Sequence, residues 1–196
     1  MLTLEGCRKR QARFCERLTK EGIDAVVITD YRDIYYFTGV LLSAYPAFHF
    51  PSLLYMETGG NTWLAANTDV GDAAVDERVV YSSQVMYTMN PDPMRGLNAV
   101  VAKRLQACKG VACLGWQQES MPKLLADTVS DALSASWLPI DDLLMSQQMK
   151  KDADEVAMLQ KAINTNLRAY DRVQEVIAPG VNELDVLAAG QQAALH

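Results

Sequence analysis

From Val156 onward the apolar residues change period. Val156, Leu159, Ile163, Leu167, Tyr170, Val173 and Ile177 recur every three or four positions, a spacing that puts them on one stripe of a single long α-helix. Asp152 followed three residues later by Glu155 reads as a capping box at its start, and Pro179-Gly180 ends it. Asn182 then caps a second helix. A helix pair with such a stripe has to bury it against another surface, so the pattern predicts a partner for residues 149–196.

Before that change the signals are short and alternate in type. Leu4, Cys7, Phe14, Cys15 and Leu18 fall at helical spacing, with Gly22 as the stop. The run Ala25-Val26-Val27-Ile28 is continuous, apolar and rich in β-branched residues, which reads as a strand covered on both faces. Asp30 caps a short helical stretch that Gly39 ends. Residues 52–57 and 62–66 are strands around the turn Thr58-Gly59-Gly60-Asn61, and residues 78–81 form another. Pro91-Asp92-Pro93 opens a helix through Ala107, since proline suits a first turn that needs no N–H. Residues 110–114 are a strand, Ser120 caps a helix reaching Leu133, residues 136–140 are a strand, and Asp141-Asp142 starts a connecting helix.

Strands separated by helices predict an α/β fold, a layered mixed β-sheet flanked by helices, because the hairpin pairs antiparallel while crossovers favour parallel pairing. The predicted division is an α/β domain over 1–148 and a long helix pair over 149–196.

Composition narrows the function classes. Hydrophobic residues are 49% and charged residues 21% of 196, as in soluble globular chains. No apolar run reaches the roughly 18 residues of a membrane span, and the first residues lack a hydrophobic signal segment, which points to the cytoplasm and to no membrane partner. With 18 Lys and Arg against 24 acids, net −6, no global field draws a phosphate backbone, so no nucleic acid is expected. The basic set Arg8, Lys9, Arg10, Arg13, Arg17 and Lys20 reads as the solvated face of the first helix. Cys7, Cys15, Cys108 and Cys113 form no Cys-x-x-Cys pair, and His49 and His196 do not complete a zinc site with them.

No phosphate loop, His-Glu-x-x-His or Gly-x-Ser-x-Gly is present, and His49 as the one internal histidine cannot supply a triad base with its orienting group. Asp24, Asp30, Asp141 and Asp142 near strand ends are the carboxylates that a metal would use, but capping and surface roles explain them better. The aromatics Tyr31, Tyr35, Tyr36 and Phe37 read as packing residues. The segment Tyr45-Pro46-Ala47-Phe48-His49-Phe50-Pro51 is unusually apolar for a loop, so Tyr45, Phe48, His49 and Phe50 are candidates for substrate or partner contact, with tucking into the domain's own core as the alternative.

Gly22-Ile23-Asp24-Ala25-Val26-Val27-Ile28-Thr29-Asp30, then Tyr35-Tyr36-Phe37-Thr38-Gly39, and later Lys151 to Ala162 with Pro179-Gly180, resemble the creatinase/prolidase/aminopeptidase P family. The resemblance implies that family's mixed α/β amino-terminal domain, followed by the opening helices of its "pita-bread" catalytic domain. It implies a non-catalytic role for this chain, with dimer contacts and substrate-access contacts from the loop after Gly39. For the parent it implies metal-dependent hydrolysis of proline-containing peptides at a Xaa-Pro bond by two divalent ions, Mn, Co or Zn. No ligand to such ions is assigned in these residues, so no cofactor is expected on this chain. The alternatives are a creatinase-type amidinohydrolase and a non-enzymatic peptide- or protein-binding module.

Overall fold

The computed structural model describes residues 1–42, 50–81 and 92–195. Helix α1 (Leu4–Lys20) is capped by Thr3, whose hydroxyl accepts from Gly6 N, and the chain passes Gly22 into strand β1 (Ala25–Ile28). Helix α2 (Tyr31–Thr38) starts on the Asp30 carboxylate and stops at Gly39, whose φ of 75° is the left-handed cap conformation that glycine adopts without penalty. Strands β2 (Leu53–Glu57) and β3 (Thr62–Ala66) form the expected hairpin, and β4 (Glu77–Val80) follows. Then come α3 (Pro93–Leu105), β5 (Cys113–Trp116), α4 (Lys123–Ala132), β6 (Ser136–Pro139) and α5 (Asp141–Gln148).

Among the described residues the strands form one sheet in the order β4-β3-β2-β1-β5-β6. β2 runs antiparallel to β1 and β3, while β1, β5 and β6 are mutually parallel and β4 is parallel to β3. The mixed sheet is therefore as predicted. All four residues of β1 are buried, and they alternate between two cores: Ala25 and Val27 join Leu53, Tyr55 and Trp63, while Val26 and Ile28 join Leu54, Met56 and Leu64. Helices α3 and α4 cover the first face through Leu97, Val101, Leu125 and Val129. Helices α1, α2 and α5 cover the second through Phe14, Leu18, Ile34, Phe37 and Leu144.

Three local expectations need correction. The fifth strand is Cys113–Trp116, further along than residues 110–114. The Asp24 carboxylate accepts from the N–H of Ala112 and of Cys113, which fixes where pairing begins, and Gly115 is needed inside the strand rather than after it. A Cβ at Gly115 would lie 2.6 Å from Val26 Cγ1 and 2.7 Å from Ile140 Cγ2. Ser120 does not cap α4; the N-cap is Pro122, and the Ser120 hydroxyl lies 3.1 Å from that of Thr29. Nor is the basic set on α1 simply a solvated face. Arg10 is fully buried, donating from Nε to Tyr36 O and stacking 5.0 Å over the Tyr36 ring. Arg8 pairs with Asp76 at 2.9 Å, and Arg17 donates to Leu143 O on α5.

The chain divides into two compact units, residues 2–150 and residues 151–196 joined by Met1. In the second unit, helix α6 (Ala153–Val176) begins with the predicted capping box of Asp152 and Glu155, and α7 (Glu183–Leu195) follows with Asn182 Oδ1 accepting from Leu184 N. The two helices pack closely where Gly190 faces Val173; a Cβ there would lie 2.9 Å from Val173 Cγ2.

Candidate functional site

β1 and β5 are adjacent and parallel, yet the helices that follow them go to opposite faces: α2 onto the second core and α4 onto the first. The loops leaving the two strands must part, and a crevice opens at the strands' carboxyl ends, the usual place for ligands in open α/β sheets. Here it has a volume of about 450 Å³ and is lined by Asp30, Arg32, Asp33, Gln117, Glu119, Ser120, Asp141, Leu144, Met145 and Gln148.

Its polar groups are largely tied to one another. Asp30 accepts from Arg32 N at 2.8 Å and from the Arg32 guanidinium at 2.7 and 3.0 Å; the guanidinium holds its carboxyl below the usual carboxylate range. Gln117, 3% exposed, sits at the centre. Its Oε1 accepts from Thr29 N at 2.6 Å and Asp30 N at 2.9 Å, and its Nε2 donates to Asp33 Oδ2 at 2.5 Å. The other oxygen of Asp33 accepts from Gln148 Nε2 at 2.5 Å. Burial pushes the Asp33 carboxyl up, and the amide donors only partly oppose it. Asp141 turns its carboxylate away from α5 to accept from Gln118 N and Glu119 N.

These contacts settle the carboxylate candidates. Asp24 lies at the opposite end of β1 from Asp30, with its oxygen on the β5 amides, and Asp30 and Asp141 are occupied by donors. Asp142 lines a neighbouring depression with Glu119. Among the described residues no group of three or more His, Cys, Asp or Glu is disposed to hold a metal ion. The donor set does not fit a pair of divalent ions. The cysteines are free thiols, and burial raises that of Cys15.

Of the four contact candidates, Tyr45, Phe48 and His49 lie outside the described residues. Phe50 is half-buried, and its carbonyl accepts from the Ser52 hydroxyl. It lies three residues before β2, whose Leu54 pairs with Ile28, so it sits at the same end of the sheet as the crevice without lining it. Tyr36 and Phe37 pack as expected, with Phe37 5.2 Å from Phe14. Sequence reasoning missed Gln117 and Gln148. Neutral amides leave no mark in charge or periodicity, and only the position of Gln117 just past a strand end hinted at a role.

The architecture is that of an α/β domain with a mixed sheet, two helical layers and a polar crevice at the carboxyl ends of its parallel strands. Residues 10–150 match the family described as Creatinase/Prolidase N-terminal domain, and the chain belongs to that family. The creatinase of Bacillus sp. (strain B-0618) is 26% identical over 195 residues, covering 96% of this chain and 44% of that protein. The X-Pro aminopeptidase of Thermotoga maritima MSB8 superposes with a TM-score of 0.72 at 19% identity, over 94% of this chain and 48% of its own. The N-terminal domain of the cytoplasmic peptidase PepQ from Mycobacterium tuberculosis H37Rv superposes with a TM-score of 0.52 at 18% identity, over 71% of this chain and 98% of its own. The chain thus spans about half the length of the curated relative it matches. Among the described residues no helix is long and apolar enough to cross a membrane.

Proposed function

We infer that this chain is the non-catalytic amino-terminal part of a creatinase/prolidase-type hydrolase, joined to the first helices of its catalytic domain. The observation that carries the reading is where the likeness falls. The family match ends at residue 150, where the first compact unit ends, while the X-Pro aminopeptidase aligns over 94% of this chain, and so past residue 150, and this chain covers 48% of it. The parent acts in the cytoplasm as a homodimer and hydrolyses Xaa-Pro peptides with two divalent ions, Mn, Co or Zn, held outside these residues. The chain contributes dimer contacts and, through Tyr45, Phe48, His49 and Phe50, contacts that border the substrate's entry. Phe50 at the crevice end of the sheet supports that role for the segment.

A second reading, creatinase-type amidine hydrolysis, is favoured by the 26% identity to a creatinase. One panel separates the two. The complete protein and the 196-residue chain are each assayed for proline release from Xaa-Pro dipeptides with each metal, and for urea release from creatine. Proline release by the complete protein alone supports the first reading, and urea release alone supports the second. Turnover of either substrate by the 196-residue chain overturns the non-catalytic assignment.

A further inference from the structure

A helix leaves its last four carbonyls without partners of its own. In α2 these belong to Tyr35, Tyr36, Phe37 and Thr38, and each has a donor from beyond the helix. Gly39 N donates to Tyr35 O, Arg10 Nε to Tyr36 O, Gln11 Nε2 to Phe37 O at 2.7 Å, and Ala74 N to Thr38 O at 3.0 Å. Helix α1 and the segment before β4 thus close the end of α2, the point at which the chain departs through Gly39.

Gln11, buried on the inner side of α1, joins these contacts. Its NH2 has two hydrogens and uses both, one on Phe37 O and the other on Ala74 O at 2.5 Å. The two carbonyls lie 26 and 63 residues away in sequence, so one amide orders α2 against the segment before β4. Its oxygen accepts from Arg8 Nη1 at 3.2 Å, which fixes which way the amide faces. Arg8 is itself held by the Thr62 hydroxyl at 3.2 Å and by Asp76 Oδ1 at 2.9 Å. The other Asp76 oxygen accepts from the Thr62 amide and hydroxyl. The sheet therefore sets Arg8, Arg8 sets Gln11, and Gln11 sets the end of α2. A hydrocarbon side chain of the same size would fill the space and supply no direction.

We propose that Gln11 is a positioning residue: by holding Phe37 O and Ala74 O together it fixes the direction in which the chain leaves α2 at Gly39, and through that the substrate-access contacts made after Gly39. It acts through the backbone and touches no substrate. The proposal rests on the reading of the segment after Gly39 as a substrate contact.

Gln11→Met keeps the length of the side chain and removes both donors. In the 196-residue chain the amides of Gly39 and Ala74 are expected to exchange with deuterium about tenfold faster than in the parent, while that of Ile140, bonded to Trp116 O, keeps its rate. In the complete protein KM for a Xaa-Pro dipeptide is expected to rise about threefold to tenfold, with kcat within about twofold. Asp24→Ala, at the opposite end of β1 from α2, is the control for lost stability alone: at a matched fall in urea midpoint its KM should not move. Arg8→Met, at a half-exposed site, leaves the buried amide in place without its orienting donor and should move exchange and KM in the same direction by smaller factors. It carries the test if Gln11→Met does not fold. The proposal is overturned if exchange at Gly39 and Ala74 is unchanged, if exchange quickens while KM stays, or if Asp24→Ala raises KM as much as Gln11→Met. A complete protein that turns over no Xaa-Pro peptide refutes the peptidase reading instead; Gln11 is then judged on exchange alone, where equal rates overturn its hold on α2.

Discussion

Adding one carbon at Gly115 asks whether the middle of the sheet is as closely packed as the geometry requires. The new methyl would meet Val26 Cγ1 at 2.6 Å, Ile140 Cγ2 at 2.7 Å and Ile23 Cγ2 at 3.2 Å. All three neighbours are β-branched and buried, with one stiff χ1, so none can swing its methyl aside as a long side chain would. Overpacking of this kind costs about 1–3 kcal/mol. Alanine returns about 0.4–1 kcal/mol by restricting the unfolded chain. The expected net loss is about 1–2 kcal/mol, and with a urea slope of about 2 kcal/mol/M the midpoint falls by roughly 0.5–1 M. Tryptophan fluorescence is suited to the measurement, since Trp63, Trp116 and Trp137 all belong to the sheet and none to the helix hairpin. Gly59→Ala, with open space around its Cβ and no left-handed φ, is the control and should stay within about 0.5 kcal/mol of the parent. A Gly115→Ala midpoint equal to or above the parent's would refute the argument that β1, β5 and the start of α5 meet at van der Waals contact.

Other outcomes follow from single contacts. Asp24→Ala should cost about 1–3 kcal/mol by the same fluorescence assay, because Ala112 N and Cys113 N lose their acceptor, whereas Asp24→Asn keeps an oxygen and should cost less. For Asp76, burial pulls the carboxyl up, but the Thr62 hydroxyl and amide and the Arg8 guanidinium outweigh it and hold it below the usual range. Its contribution is therefore present above the ordinary Asp range and lost as pH falls through the lower folded value, so Asp76→Asn should flatten the acid limb of stability against pH. Asp33 has the opposite sign: raised when folded, it costs stability at neutral pH and regains it as pH falls toward the ordinary Asp range. In the complete protein, Phe48→Ala or His49→Ala should leave the urea midpoint nearly unchanged and raise KM for a peptide substrate. Unchanged kinetics in both variants would make the segment structural.

What the sequence disclosed is local; what it concealed is contact between distant residues. The capping box at Asp152, the Asp92-Pro93 start of α3 and the continuous apolar run of β1, buried on both faces, are each written within a few positions and are present as predicted. Gly115 was misleading because a glycine after an apolar run normally marks an end, and its need for close packing arises only once Val26 and Ile140 are beside it. Arg10 lies in a run of charges whose composition says solvent, but the Tyr36 carbonyl and ring come from a helix 26 residues away. The crevice is the extreme case. Gln117 and Gln148 are 84 and 115 residues from Asp33, and no period or charge connects them.

Helices α6 and α7 leave large apolar side chains exposed. Val156, Leu159, Ile163, Leu167 and Tyr170 on α6 are between 49% and 61% exposed, and Leu184 and Leu187 on α7 are 65% and 55% exposed. Large apolar residues recurring along one stripe and left at half exposure are the mark of an interaction surface rather than of a finished one. The sheet unit has its own pair of cores, and a relative's matching domain has been solved as a chain that aligns over 98% of its length, so residues 1–150 are expected to fold alone. Truncation after Lys150 should therefore give a cooperative urea transition by tryptophan fluorescence and weak binding of an apolar dye. The 196-residue chain should bind the dye strongly and self-associate as concentration rises, through the uncovered stripe. A complete protein carrying the second half should lose both behaviours. If the 196-residue chain proves as dye-silent and monomeric as the truncated one, the stripe is already satisfied and the inference of a catalytic half packed against it fails.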